Sequence, residues 1–256
     1  MSRAPLATSF LCLLLSALLA APSPAVAQAG QRAGEVQRVI PAVSIERGAQ
    51  QLAAAAQTPV HWEDTVATGP QGRARIRLDD ASVLNVGSES SLRVLAHDPT
   101  SQRSELDLHY GRIRSRVVKL AKPGAKYEVR TPVGTAGVIG TDFYLAFLNG
   151  IALLIVFEGI VRFCNLAGQC VEVGAGQTSS IQGAAEPTAA VAVTPAASMA
   201  AAQSTEVEDL PAHGTKARGR WAAALGFAAV GVAAAIVATR GKARAQGPPG
   251  TVNRLP

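Results

Sequence analysis

The chain has 256 residues, with 24 Lys and Arg against 18 Asp and Glu, a formal net charge of +6, and only 4% aromatic residues. The charge alone would suit nucleic acid. However, several basic residues flank a C-terminal apolar run and the rest are scattered along strand-like segments, and so few aromatics exclude an obvious base-stacking platform. Both ends read as targeting or membrane sequence, leaving about 150 residues for a core, an ordinary single-domain size.

Arg3 is the only charge ahead of an apolar run over about residues 10–21, followed by Pro22, Pro24 and the small-x-small site at Ala25 and Ala27. This layout predicts a secretory signal peptide over residues 1–27, and the run is short for a span of ~20 residues. An uncleaved anchor helix is the alternative. Cys12 lies inside the run, too early for a lipoprotein cleavage site.

Residues 39–45 and 60–66 read as strands. The Ala-rich piece between them, residues 50–57, has no clear apolar face and reads as a loop. Arg73–Leu78 alternates strictly, with Ala74, Ile76 and Leu78 on one face and Arg73, Arg75 and Arg77 on the other, as in a half-buried strand. Asp79 to Ser82 is a turn. Short strands follow at 84–86, 92–94, 106–110 and 113–117, with a bulge at Gly111.

Residues 131–143 are the centre of the chain. Pro132 biases Thr131 to an extended backbone and lacks a ladder N–H. Gly134, Gly137 and Gly140 permit turns or bulges closed to other residues. Val138, Thr141 and Phe143 prefer strands. The stretch predicts a strand, a glycine-hinged crossing and a second strand. Residues 151–157 are apolar on both alternating faces, so that strand should be covered on both sides. Further strands are expected at 160–163, 171–173 and 180–181. Short strands every ten or so residues, with no long periodic helix, predict an all-β domain built as a barrel, sandwich or solenoid.

Residues 183–215 are rich in Ala, Pro and Thr and read as a flexible linker that cannot bury enough apolar surface to order itself. Residues 221–239 are uncharged and apolar, near the length of a bilayer span. Flanking basic residues and Trp221 favour a transmembrane helix over a buried soluble one. The flanking charges balance, so they do not orient the helix. The signal peptide does, placing the middle domain outside the cytoplasm and residues 240–256 in a short cytoplasmic tail.

No catalytic constellation is legible. His61, His97, His109 and His213 lack metal-ligand spacing. Asp79 and Asp80 fit a turn better than paired catalytic carboxylates. The three glycines are not followed by a P-loop Lys, and no Gly-x-Ser-x-Gly elbow occurs. The expectation is a non-enzymatic chain with no metal and no cofactor. Cys164 and Cys170 remain once the signal peptide is gone. They flank a five-residue stretch that reads as a hairpin turn, which would set them nearly opposite each other. In an oxidising compartment this predicts a disulfide, with two free thiols as the alternative.

Six pieces of the sequence, in order, resemble the FecR domain family of bacterial envelope proteins. The central piece is Thr131-Pro132, five residues, then Val138-Ile-Gly140-Thr141-x-Phe143. Around it stand Asp64 to Gly69 with Gly72-Arg-Ala-Arg-Ile, Leu78-Asp-Asp-Ala-Ser-Val-Leu, Leu106-x-Leu-x-x-Gly111-Arg-Ile, Val156 to Val161, and Val173 to Thr178. Ile139 stands where that family usually has Arg, so no role of that Arg is carried over. Ala81 replaces the usual turn Gly. The resemblance implies a FecR-like β-solenoid or β-roll over residues 36–181. The well-known FecR regulators carry a cytoplasmic anti-sigma region before their membrane helix and pass iron-transport signals inward. Here a signal peptide takes that place, so the fold transfers and the iron-signalling role does not.

The functional expectation is a module tethered to the bacterial cytoplasmic membrane, with its main domain periplasmic. It would bind or sense an envelope protein or a cell-wall glycan, not nucleic acid. The alternative is a structural scaffold of an envelope or export assembly.

Overall fold

The computed structural model describes residues 30–207. The expected signal peptide, transmembrane helix and cytoplasmic tail, residues 1–27, 221–239 and 240–256, lie outside the described residues. Among the described residues, no helix is long and apolar enough to cross a membrane.

The described residues form an all-β domain, as the strand spacing predicts, with seventeen strands in two layers and one helix. Sheet I runs β4 (Pro59–His61), β1 (Arg32–Ile40), β6 (Arg73–Leu78), β7 (Val83–Val86), the second half of β9 (Arg103–Arg116), β12 (Asp142–Leu148), β13 (Ile151–Glu158), β16 (Gln177–Gln182) and β17 (Val191–Ala192). Sheet II runs β3 (Gln50–Ala53), β2 (Val43–Arg47), β5 (Thr65–Thr68), β8 (Ser90–Asp98), the first half of β9, β10 (Lys126–Thr131), β11 (Gly134–Val138), β14 (Ile160–Asn165) and β15 (Cys170–Gly174). Both sheets are open at their edges. The chain passes back and forth between them, and every pairing is antiparallel except β9 with β10. A solenoid of stacked parallel coils is therefore not what forms; the winding is that of an antiparallel roll.

β9 belongs to both sheets because it bends at Gly111, whose φ is +97°. A Cβ there would lie 2.2 Å from the Ser90 hydroxyl; the register slip against β8 falls just before it, between Leu108 and Tyr110, so the bulge expected at Gly111 lies one step earlier and Gly111 itself is the corner. The alternation of each strand then fills one core between the layers. Ile76, Leu84, Ile113, Phe143 and Leu154 come from sheet I, and Ile45, Leu92, Leu106, Val129 and Phe163 from sheet II. Tyr127 is buried in this core and exchanges a 2.7 Å hydrogen bond with the Ser115 hydroxyl, linking the two layers. Burial raises its pKa well above the ordinary tyrosine value.

Three readings are corrected. Residues 39–45 are not one strand: β1 ends at Ile40 and β2 starts at Val43, in the opposite sheet. Pro41 at the junction has no N–H to continue a ladder. Residues 60–66 likewise split into β4 and β5, around Glu63 with φ +68°. Gln50–Ala53, read as loop, is the edge strand β3.

The larger correction concerns the expected linker. As far as residue 207 it is ordered: β17 adds to sheet I, and Pro195–Thr205 forms helix α1. Thr194 caps it, its hydroxyl accepting from Ala197 N, and a proline opens the first turn. The helix has almost no amphipathic pattern, which is why its sequence gave no helical signal. It lies on the outer face of sheet I, where Ala201 packs with Tyr144, Ala146 and Ile155. β13 is thus covered on its core side by the sandwich and at Ile155 by the helix, but Leu153 on the same outer face is 37% exposed, so the double cover its apolar composition predicts is only partial.

Ala81 sits in the β6–β7 turn at φ +71°, a conformation costly to any residue with a Cβ. Ala81→Gly is expected to raise the stability of a fragment spanning residues 30–207 by about 1 kcal/mol. Urea unfolding checks it; a lower midpoint would contradict it.

Candidate interaction surface

The central motif resolves into two turns rather than one crossing. Thr131 and Gly134 are register partners across a tight hairpin between β10 and β11. The Thr131 hydroxyl donates to Gly134 O at 2.8 Å and accepts from Gly134 N at 3.1 Å. Pro132 and Val133 form the loop. A Cβ on Gly134 would lie 2.5 Å from Cys164 O, so this glycine is required by close packing against β14. The passage from sheet II to sheet I comes later, between Val138 and Asp142, and turns at Gly140 with φ +72°. Gly137 has ordinary space, its nearest contact being 3.9 Å away. Phe143 is fully buried in the core. Ile139 is 71% exposed and lies beside exposed Ile160 at the end of the β11–β14 pairing.

Cys164 and Cys170 are register partners in the β14–β15 hairpin and are joined in a disulfide, with Cα atoms 4.0 Å apart. Asn165 braces the loop, its Oδ1 accepting from Gln169 N at 2.9 Å. The bridge fastens β15, an edge strand of sheet II. Exchanging both cysteines for serine is expected to cost about 2 kcal/mol, the loop-closure value for so short a loop. Thiol counting without reductant on denatured protein should find neither cysteine reactive; two reactive thiols would contradict the bridge.

The polar chemistry gathers where the register stacks two arginine ladders on the outer face of sheet I. Arg75 on β6 is the register partner of Asn85 on β7, and Asn85 is the partner of Arg114 on β9. Val83 likewise links Arg77 to Arg116. Asp142 on β12 then takes two bonds from Arg114, at 2.8 and 2.7 Å, and one from Arg116 at 2.9 Å. The Arg114 guanidinium also lies 4.3 Å from the centre of the Phe157 ring. Its pKa is raised, chiefly by the Asp142 bonds and further by the fields of Glu206 and Glu158. A cavity of ≈ 140 Å³ is lined by Gln37, Arg75, Asn85, Arg114, Arg116 and Glu206, among others. A second, of ≈ 290 Å³, extends past Arg114 and Arg116 to Asp142, Phe157 and Glu158 and includes Gly140 and Thr141 of the motif. Arg114 and Arg116 line both cavities of this arginine trough.

The end of α1 closes one side of this trough. Arg73 donates to the carbonyls of Gln203, at 3.2 Å, and Glu206, at 3.0 Å. Arg75 bonds the Glu206 carboxylate at 3.2 Å. Thr205 and Val207 on either side are buried. The alternation of Arg73, Arg75 and Arg77 marked these side chains as outward-facing, but nothing local showed that Arg114 and Arg116 would stand next to them. The shared spacing of arginines in residues 73–77 and 112–116 was the available signal.

Among the described residues, no group of three or more His, Cys, Asp or Glu is placed to hold a metal ion. His97 joins Ser104, whose hydroxyl lies 2.9 Å from its Nδ1, and Asp80, 3.9 Å from its Nε2. The trio resembles a catalytic relay, but His97 and Ser104 are buried. Its effect is to tie the β6–β7 turn to the β8–β9 hairpin. Burial lowers the His97 pKa, opposed by the nearby aspartates. Asp79 and Asp80 lie in the turn, as expected, and Asp80 accepts from Ser82 N at 2.9 Å.

Residues 64–162 match the family described as FecR protein, the family that the motif resembles. The matched segment runs from the turn before β5 into β14. It includes the arginine ladders and the motif, and it leaves out the disulfide and α1. Two crystal structures of a proposed anti-sigma factor from Parabacteroides distasonis ATCC 8503 are similar, each at 14% identity and TM-score 0.44. Each alignment covers 50% of this chain and 59% of the other. No curated protein sequence matches the chain.

Proposed function

We propose that this chain is a FecR-type regulatory module of signal transduction that acts by contact with another envelope protein. The observation that carries the reading is the FecR match over residues 64–162, which coincides with the strands that build the arginine trough. On this reading the charged network of Arg75, Arg114, Arg116, Asp142 and Glu206 on the outer face of sheet I is a contact surface for that partner, with the Arg116 side chain its most exposed arginine. The β-domain stands outside the cytoplasm, delivered by residues 1–27 and held to the membrane by residues 221–239. The disulfide supports this location, because such bridges form and persist in oxidising compartments.

Topology reporters test this arrangement. Alkaline phosphatase fused after Val207 should be active, and the same enzyme fused after Pro256 should be inactive. Activity of both fusions, or of neither, would overturn the arrangement.

A further inference from the structure

We infer that the free edge of β3 pairs with the same edge of a second copy of this chain, so that sheet II continues through a two-fold axis at Leu52. Each sheet has two edge strands, and every one except β3 is guarded in a usual way. β4 has three residues and opens on Pro59, β17 has two residues, and β15 carries Glu172 and is fastened by the disulfide. From Gln50 to Gln57 the chain carries no charge and no proline. Gln50, Gln51 and Ala53 are exposed, and Leu52 is half-buried.

The ladder fixes which main-chain groups are free. Ala54 N donates to Val43 O at 2.9 Å, and Ser44 is the register partner of Ala53. Antiparallel bonding alternates, so Leu52 and Gln50 also face β2, and the N–H and C=O groups of Gln51 and Ala53 turn outward. Two copies placed antiparallel about Leu52 set Gln51 of each against Ala53 of the other. Every outward group then meets a partner. Leu52 packs on its own counterpart at a narrow pair, with Cα atoms about 4.5 Å apart. A shift of two residues either way sets one of these strands against the turn at Gly48 and Ala49, or against Ala55, whose N–H and C=O are held by Thr58.

The outer face selects a second copy as the occupant. Ala53, Ser44 and Ala67 stand in one row across β3, β2 and β5. With Ala42, Gly69 and Gln51 they line a cavity of ≈ 520 Å³. Gln51 is the long side chain on the outer face of β3, and the row beside it holds nothing larger than serine. In the two-fold pairing, Gln51 of each copy enters this row at its open end and lies over Ala53 toward Ser44. The Ser44 hydroxyl receives its own chain's Gln51 amide only at 3.4 Å, and its hydrogen is left for the incoming Gln51 carbonyl. One strand thus carries both the projection and the recess that takes it, and the fit is reciprocal, as a two-fold contact requires. A foreign strand would use the main-chain groups without the recess.

The pairing depends neither on the arginine trough nor on the membrane tether. Disulfide trapping of the full chain in intact cells tests it, with a mild oxidant and non-reducing gels as the readout. Leu52→Cys should give a dimer of the chain. Gln51→Cys and Ala53→Cys should each give little dimer alone, because each would face its own counterpart across a diagonal beyond disulfide reach. Produced together, these two variants should give the dimer. Both positions are exposed, so their result stands even where Leu52→Cys disturbs packing. Ala53→Pro removes an N–H that faces away from β2 and should lower the Leu52→Cys dimer at least about tenfold, through the hydrogen bonds lost from both copies. Four results would overturn the inference: no dimer from Leu52→Cys or from the mixed pair, equal dimer from Gln51→Cys alone and from the mixed pair, an unchanged yield with Ala53→Pro, or a Leu52→Cys adduct with a different protein in place of the dimer.

Discussion

Replacing Arg47 by alanine should destabilise the domain by about 3–5 kcal/mol, the usual result of leaving a buried charge without its partner. Asp64 is fully buried at the start of the FecR-matched segment. Its carboxylate takes two bonds from Arg47, at 2.8 and 2.7 Å, and one from His61 N at 2.8 Å. Arg47 also donates to Pro59 O at 2.9 Å, and Asp64 O accepts from Val94 N at 3.0 Å. The Asp64 carboxylate thus fastens the end of β2 to the β4–β5 turn, and its main-chain carbonyl ties the same turn to β8. The bonds to Asp64 also raise the Arg47 pKa, so this partner is charged throughout the accessible pH range. In a domain of this size the loss corresponds to roughly 10 °C in Tm. The double variant Arg47→Ala with Asp64→Ala should lose less than the sum of the two singles, because each single strands the other group. Additive losses in urea unfolding would show that the pair is not coupled.

The second large effect is at Gly140. Alanine there meets two costs at once. The backbone sits at φ +72°, and the new Cβ would lie 2.8 Å from Lys119 Cα, main chain that cannot rotate aside. Strain and clash together should cost about 2–4 kcal/mol. Gly137→Ala, three residues earlier, should change stability by less than about 0.5 kcal/mol, as for an unconstrained site, because its Cβ meets only ordinary contact. Equal melting temperatures for the two variants would contradict the placement of the crossing at Gly140.

What the sequence shows and what it hides separate along physical lines. Features set by neighbours a few residues apart were readable: the alternation of Arg73–Leu78, the bend at Gly111, the turn at Asp79 to Ser82, and the Cys164–Cys170 pairing across a short hairpin. Features set by distant partners were not. The corners at Pro41 and Glu63 lie inside runs of good strand formers, and which sheet each half joins is decided by strands far along the chain. Helix α1 is held by Ala201 against Tyr144 and by Arg73 and Arg75, some 130 positions earlier in the chain. An Ala-rich segment with no amphipathic stripe cannot announce such a contact. The trough was hidden for the same reason: its arginines come from β6 and β9 and meet only through the register of β7 between them.

The most direct measurement is site-specific photocrosslinking in native membranes, with a photoreactive residue at position 116 in the trough or at position 135 on the outer face of sheet II. The account predicts a discrete protein adduct from position 116 and no such adduct from position 135. Adducts of equal strength from both positions, or none from position 116, would contradict it.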